Sequence, residues 1–478
     1  MKLHDLVIVG GGTGGLVSAL IAAPLGARVA LVERGRTGGD CLWTGCVPSK
    51  TLLASAHAAH TMRTADALGL TPVQPTIDFE AVMGRIRDVI AIIEPADSPE
   101  RLRAAGVEVI AADAQFTGPH TIQCGDRELR FRAAIIATGS EPVLPPLDGL
   151  EDADPLTTDS IWQLKNQPRR LLILGGGPIG CEIAQAFTRL GSEVTIVETA
   201  QRLLLKEEPE AGDLILEQLR REGVTVRLDA RPSNISHGDA GGQLEFADAK
   251  PPVDFDRVLV ATGRRPRTSD LGLGSAGVEV DDRAAVRVDS RLRTTARSIF
   301  AVGDVTGLDQ FTHVAAHHAR VATPNALFHT RRTVSDVVPW VTFTDPEVAR
   351  VGLSETQARE RWGGRAQIAV SDYAELDRAI TAGQAHGFAK LIGDPRGHLV
   401  GATVCASAAG EVIAELTAWI TQHGRIQDIS RTIHAYPTLA EGPARAADDY
   451  VMRRLLGSQA RHATRPVLAA LRWFDCTQ

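Results

Sequence analysis

One motif occurs twice in this chain, and the repetition leaves few folds open. The first copy runs Asp5-Leu-Val-Ile-Val-Gly10-Gly-Gly12-Thr-Gly14-Gly15, then a helical pattern, then Ala27-Arg-Val-Ala-Leu-Val-Glu33. The second runs Arg170-Leu-Leu-Ile-Leu-Gly175-Gly-Gly177-Pro-Ile-Gly180, a helical pattern, then Ser192-Glu-Val-Thr-Ile-Val-Glu198. Each reads strand, G-x-G-x-x-G, helix, strand, acid, with the acid at the same distance from the first glycine. Gly10 and Gly175 permit a tight turn, Gly12 and Gly177 let backbone approach a pyrophosphate, and Gly15 and Gly180 let helix pack on strand. The helix N-terminus offers free N–H groups and positive dipole to phosphate. Pro178 costs nothing in a first helical turn. Glu33 and Glu198 can accept from ribose hydroxyls. A lone glycine loop could be a turn; two complete units argue for two dinucleotide sites, one tightly held and one exchanging.

The expected fold class is α/β, with two Rossmann-like dinucleotide-binding domains and a third, α+β domain from residue 339, where the pattern changes. At 478 residues the chain is too long for one core. A net charge of −7 gives no basis for nucleic-acid binding. No apolar run reaches the roughly 18 residues of a membrane span. Strand residues begin at Asp5 with no cleavage pattern, so no signal peptide is expected. Six cysteines do not make a disulfide scaffold. Cys124, Cys181 and Cys405 read as small apolar filler, and a cytoplasmic location is expected. Helical patterns follow Pro48 to about residue 65 and cover 78–105 with a break at Pro95. Strand patterns lie near 107–116, 120–124 and 129–137. Ala137-Thr138-Gly139 and Ala261-Thr-Gly263 form a second repeat, each after an apolar strand, as where a chain passes beside a cofactor. Ser298–Asp304 is another buried strand, ending in Gly303-Asp304.

The stretch Gly38-Gly39-Asp-Cys41-Leu-Trp-Thr-Gly-Cys46-Val-Pro-Ser-Lys50 follows the first unit directly. A helix is expected to begin just after Cys46. A thiol at a helix N-terminus is acidified by the dipole and free N–H groups. Thiolate is the form that exchanges with disulfides or donates charge to an oxidised flavin. Zinc needs four ligands, and no second Cys or His pair follows at suitable spacing, so no metal site is expected.

On these motifs the chain resembles the class I pyridine nucleotide–disulfide oxidoreductases, which include dihydrolipoamide dehydrogenase, glutathione reductase and mercuric reductase. The matching residues are Gly10–Gly15, Gly39–Lys50, Ala137–Gly139, Gly175–Glu182, Ala261–Arg264, Ala301–Asp304, Val341–Ala349 and Pro437–Glu441, in family order. The resemblance implies FAD on 1–147, completed by 270–338. It implies a nicotinamide cofactor on 148–269 and a dimerisation domain at 339–478, giving a homodimer. Glu33 would hold the FAD ribose and Asp304 would touch the ribityl chain, with Gly39, Thr138, Gly139, Gly263 and Gly303 at the cofactors. Cys46 would face the flavin, Cys41 would attack substrate, and Lys50 would pair with Glu182. Electrons would pass from nicotinamide through FAD and the Cys41–Cys46 disulfide to an outside acceptor, or in reverse.

The sequence departs from the family near its end. Many members carry His-Pro-Thr-x-x-Glu, whose His comes from the partner subunit and protonates the departing thiol. Here the run is Tyr436-Pro437-Thr438-x-x-Glu441, with His434 just before it. Imidazole titrates near neutrality and phenol near 10, and acid–base catalysis works best with a pKa near the working pH. Either Tyr436 is a weaker donor, or His434 reaches in, or the acceptor needs little proton transfer. Mercuric reductases resemble this chain at the Tyr but carry two adjacent C-terminal cysteines; here Cys476 stands alone, after an amphipathic helical pattern over 461–474. Glu198 favours NAD over NADP, because it accepts from a 2′-hydroxyl and repels a 2′-phosphate; Arg202 is the competing feature. The expected function is dihydrolipoamide dehydrogenase-like, on a small disulfide or lipoyl-like substrate, free or on a carrier protein. The alternatives are a mercuric reductase-like metal-ion reductase, an NADH:quinone or dye reductase, and a non-catalytic redox sensor, against which the intact cysteine pair and Lys50 argue.

Overall fold

A computed structural model describes residues 3–238, 241–248, 250–456 and 458–475; Cys476 lies outside the described residues. The chain divides into two compact units. One is Met1–Leu203 with Leu216–Ser335; the other is Leu204–Ile215 with Asp336–Gln478.

The first unit contains two mainly parallel sheets. In the first sheet the strand order is Glu108–Ala111, Val29–Glu33, Leu3–Val9, Arg127–Ile136, then the antiparallel strands Thr121–Cys124 and Ala114–Gly118. Ile299–Ala301 joins by pairing parallel to Arg127–Ile136. The expected 107–116 strand is two strands, because the chain bends at 112–113 and changes partner. Alternate residues point to opposite faces, and both faces are covered, so Leu6–Val9 of the strand Leu3–Val9 reads as an unbroken apolar run. Leu6 and Ile8 pack among Leu16, Ala19, Val321 and Ala322 of helices Thr13–Ala22 and Thr312–Phe328. Val7 and Val9 pack with Phe116, Ile122 and Phe131 on the other face.

The second sheet, ordered Thr225–Arg227, Glu193–Val197, Arg170–Leu174, Arg257–Val260, is wholly parallel. Its register repeats that of the first: Val9 pairs with Val32, and Leu174 with Val197. Helix Cys46–Arg63 packs against Pro178–Leu190 and Phe79–Ile93. Phe79 meets Phe187 at 6.0 Å between ring centroids, Arg63 donates to the Arg189 carbonyl, and Arg85 donates to the Thr51 carbonyl at 3.0 Å. Helix Phe79–Ile93 therefore runs antiparallel to Cys46–Arg63. The expected break at Pro95 is a single 3-10 turn, Glu94–Asp97, followed by helix Pro99–Ala104, whose N-cap Ser98 accepts from Arg101 N–H.

The second unit has a five-stranded antiparallel sheet, ordered Pro339–Thr342, Glu347–Gly352, Leu399–Ala406, Phe388–Gly393, Gln367–Asp372. Helices Ala409–Thr421 and Glu441–Leu455 pack on it around Tyr373, Leu391, Val404 and Leu416. Lys390 is buried there against Glu208, Glu210 and Glu355 at 3.1, 2.7 and 2.8 Å, the full set of partners a buried cation requires. The C-terminal pattern forms helix Ser458–Asp475. Among the described residues no helix is long and apolar enough to cross a membrane.

Candidate functional site

The first glycine loop is built around close approaches. Gly10 sits at φ +106, where a Cβ would lie 2.3 Å from the Ala137 carbonyl oxygen, and a Cβ on Gly15 would lie 1.9 Å from the Gly10 oxygen. Gly12 is the N-cap of helix Thr13–Ala22 and supplies no side-chain cap, so the first N–H groups of that helix stay available. Gly12 and Gly14 border a cavity of about 770 Å³ together with Glu33, Gly39, Cys41 and Thr138. That volume lies within the ~300–1,000 Å³ range of cofactor sites. Gly139, Gly303 and Asp304 border it too. Glu33 accepts from Gly11 N–H at 2.6 Å and Gly35 N–H at 2.7 Å, which fixes its carboxylate at the cavity edge.

The far wall is equally specific. Thr138 Oγ1 donates to the Arg267 carbonyl at 2.7 Å, and Ser140 Oγ donates to Asp304 Oδ2 at 2.6 Å. Burial pushes the Asp304 carboxyl above its usual range, against the Ser140 bond and the nearby Arg264 charge. Gly303 N–H donates to Nδ1 of His318 at 3.2 Å, and burial holds that imidazole down to about 4, so it stays neutral and accepting at pH 7. An uncapped helix end for phosphates, a fixed carboxylate for ribose and a buried acid on the opposite wall fit the parts of FAD.

The second loop repeats the first. Gly175 is at φ +113 with its Cβ position 2.5 Å from the Ala261 oxygen, and that of Gly180 is 2.0 Å from the Gly175 oxygen. Gly177 caps helix Pro178–Leu190 without a side chain. Glu198 accepts from Gly176 N–H at 2.7 Å and Ala200 N–H at 2.8 Å, as Glu33 does in its own copy. Gly263, at φ +139, has open space where a Cβ would stand. These residues do not border the first cavity.

Between the two loops stand the cysteines. Cys41 lies on the short helix Gly39–Trp43, and Cys46 is itself the first residue of helix Cys46–Arg63, with Gly45 as N-cap. A Cβ on Gly45 would lie 2.8 Å from the Asp40 oxygen, so the loop closes only with glycine there. Both cysteines are free thiols. A hydrogen bond from Cys41 pulls Cys46 from 9.0 down to about 6, helped by Thr312 and the Lys50 charge and opposed by burial and Glu182. Cys41 is pushed far up, first because it donates to Cys46, then by burial and the charges of Cys46 and Asp97. Thr312 Oγ1 is 3.4 Å from Cys46 Sγ. Lys50 Nζ meets Glu182 Oε2 at 2.8 Å, joining the cysteine helix to the second glycine-loop helix. Sequence reasoning missed Thr312, His318 and the Asp40 cluster, in which Asp40 accepts from Arg264 and from Arg267, the latter at 3.4 Å. Arg264 carried a signal, since it follows the repeated Ala-Thr-Gly.

Among the described residues no hydrogen bond joins the C-terminal candidates to one another. His434 Nε2 pairs with Glu415 at 3.1 Å and its Nδ1 faces the Thr432 carbonyl at 3.0 Å. Tyr436 is exposed and donates to Asp377 Oδ2 at 2.6 Å, which pushes the phenol further above its usual value. Glu441 accepts from Thr438 N–H at 3.0 Å. Cys124, Cys181 and Cys405 are buried and pushed up by burial, as filler should be.

Comparison with known proteins matches residues 4–321 to the family Pyridine nucleotide-disulphide oxidoreductase and residues 338–447 to its dimerisation domain. A dihydrolipoyl dehydrogenase of Thermus scotoductus is 36% identical over 456 residues, 94% of this chain and 97% of that protein. A mercuric reductase of Streptomyces lividans is 36% identical over 457 residues, 94% of this chain and 96% of its own length. Among solved structures, the HOCl-induced flavoprotein disulfide reductase RclA from Escherichia coli superposes with TM-score 0.84 at 30% identity, over 93% of this chain and 99% of that one.

Proposed function

The chain belongs to the pyridine nucleotide-disulphide oxidoreductases, flavoenzymes that use FAD and a pyridine nucleotide, and we propose that it reduces a small disulfide with electrons from NADH through Cys41 and Cys46. The observation that carries this reading is geometric: Cys41 borders the cavity that fits FAD, and Cys46 opens helix Cys46–Arg63, where its thiol lies 3.4 Å from Thr312 Oγ1. A thiol at a helix N-terminus is acidified, and a thiolate beside a second thiol is what disulfide exchange needs.

FAD, when bound, supplies the two-electron exchange between nicotinamide and sulfur. The Gly10–Gly15 loop and Glu33 hold its pyrophosphate and ribose, and Asp304 receives its ribityl side. The Gly175–Gly180 loop holds the nicotinamide cofactor, and Glu198 favours NAD. Lys50, oriented by Glu182, stabilises the Cys46 thiolate. Cys41 attacks the substrate, and Cys46 resolves the mixed disulfide. On this reading 1–147 with 270–338 forms the FAD domain, 148–269 the NAD domain and 339–478 the dimer-forming domain. The dimerisation-domain match supports a homodimer, and a reducing cytoplasm suits thiols that must be regenerated.

A second reading is favoured by Tyr436, whose phenol is held up by Asp377 and is a poor proton donor near neutrality. A soft metal cation takes electrons without a proton, and the mercuric reductase of Streptomyces lividans matches as closely as the dihydrolipoyl dehydrogenase. The deciding experiment is a steady-state panel of lipoamide, glutathione disulfide, mercuric ion and a quinone, with NADH and NADPH, on wild type, Cys41→Ser and Tyr436→His. Disulfide turnover that vanishes in Cys41→Ser supports the first reading. Turnover of mercuric ion with inert disulfides supports the second, and quinone reduction alone, surviving Cys41→Ser, defeats both.

A further inference from the structure

The Gly10–Gly15 loop offers phosphate only backbone N–H groups, which carry partial charge. The diphosphate of a dinucleotide is doubly negative, so a full positive charge in the wall beside that loop would bind it further. Three arginines border the cavity: Arg34, Arg36 and Arg267. Arg267 is committed to Asp40 at 3.4 Å and to Asp159 at 3.5 Å. Among the described residues neither Arg34 nor Arg36 is paired with a carboxylate. Arg36 differs from Arg34 in being held. Its guanidinium carbon lies 3.7 Å from the centroid of the Trp43 ring, the separation of a stacked cation–π pair. The ring is fixed in turn, because Trp43 Nε1–H donates to the Thr37 carbonyl at 2.7 Å. Thr37 packs on the phosphate turn: a Cβ on Gly11 would lie 3.1 Å from Thr37 Cγ2.

We propose that Arg36, held flat on Trp43, is the side-chain cation for the diphosphate of FAD. This rests on the reading above, in which the Gly10–Gly15 loop receives that diphosphate. Trp43 closes the short helix Gly39–Trp43 that carries Cys41, so the helix bearing one of the sulfurs also carries the platform for the phosphate-binding charge. Arg36 and Trp43 border the same cavity as Gly12 and Cys41.

The stack suits this task. A guanidinium lying on a ring face keeps its N–H edge, whose donors form a rigid fork that matches phosphate oxygens. Among the described residues no hydrogen bond takes those donors. An exposed arginine gives up rotamer freedom when it meets an anion, and the ring removes part of that cost beforehand. Trp43 is itself only half-buried, so its ring is within reach of the exposed Arg36 rather than sealed in the core. Arg34 has the same charge at the same cavity with no ring beneath it, which makes it the natural control.

The test follows FAD release from dilute holoenzyme by flavin fluorescence, which gives an affinity for each variant, with inorganic pyrophosphate as a competing probe. Arg36→Ala weakens FAD about tenfold, the low end for a hydrogen bond to a charged group because Arg36 is exposed. The inhibition constant of pyrophosphate against FAD rises by a similar factor. Arg34→Ala changes the affinity less than about threefold, as a screened charge does. Trp43→Leu weakens FAD as well, and adding Arg36→Ala to it costs less than about threefold more, since the ring and the charge act as one unit. Arg36→Lys keeps the charge without the plane and recovers only part of the affinity. Equal losses in Arg34→Ala and Arg36→Ala reduce the effect to general charge and overturn the proposal. So do an unchanged pyrophosphate constant, full additivity with Trp43→Leu, and wild-type affinity in Arg36→Lys. Arg36→Ala that holds FAD as tightly as wild type defeats the proposal alone; a wild type that carries no flavin defeats the reading of the cavity and the proposal with it.

Discussion

Replacing Thr312 with Val removes one donor from the Cys46 thiolate while keeping the shape of the side chain. Thr312 Oγ1 stands 3.4 Å from Cys46 Sγ, at the first residue of helix Thr312–Phe328. A hydrogen bond to a charged group contributes about 1.5–3 kcal/mol. Sulfur is a diffuse acceptor, so the low end applies, about 1.5 kcal/mol, close to one tenfold step in acidity. Cys46 then moves from about 6 to about 7. At about pH 6.5 the thiolate fraction drops from roughly three quarters to roughly one quarter, and iodoacetamide alkylation of Cys46 slows about threefold. At about pH 9 the two proteins alkylate alike, which controls for access. The assay is peptide-resolved alkylation of reduced holoenzyme across pH, with Thr312→Ser restoring the wild-type curve. A Thr312→Val profile that coincides with wild type, or that moves to lower pH, refutes the assignment of Thr312 as a donor to the thiolate.

Three further outcomes are expected. Lys50→Met removes the cation that Glu182, only 6% exposed, meets at 2.8 Å. Stability falls by roughly 3 kcal/mol, the low end for a broken buried pair because Lys50 itself is partly exposed, and thermal unfolding reads it. Gly39→Ala places a Cβ 2.6 Å from the Gly12 Cα at φ +61, so the purified protein carries little flavin by its visible-to-ultraviolet absorbance ratio; full flavin content would contradict the cradle described here. His318 titrates at about 4 when folded and near 6.5 when unfolded, so the unfolded chain binds more protons in that window and stability falls as pH drops through it. The loss approaches roughly 3 kcal/mol below the folded value, and His318→Gln flattens this acid limb in melts at about pH 5 relative to pH 7.

Both glycine-loop units were legible in the sequence because their determinants are local. A glycine at each close approach, an apolar strand before it and an acid after the next strand all fall within one unit, and Pro95 marked the break in the 79–104 helical stretch. The cysteine pair was legible for the same reason, although the helix starts at Cys46 rather than after it. Contacts between residues far apart in the chain were not. Thr312 touches Cys46 and Arg264 touches Asp40 across more than two hundred residues, and no periodicity links them. Lys50 and Glu182 were paired only through the family resemblance. His434 had no local sign of its Glu415 partner, and the Tyr436–Asp377 bond depends on the packing of the second unit.

The loop that carries the sulfurs leans on the phosphate loop through Gly12 and Gly39, with Gly38 N–H donating to the Gly11 carbonyl at 2.9 Å. A Cβ on Gly39 would lie 2.6 Å from the Gly12 Cα, so a side chain added to the sulfur loop there presses directly on the phosphate loop. An engineer seeking a different cofactor and one seeking a different sulfur chemistry would be working on the same few atoms.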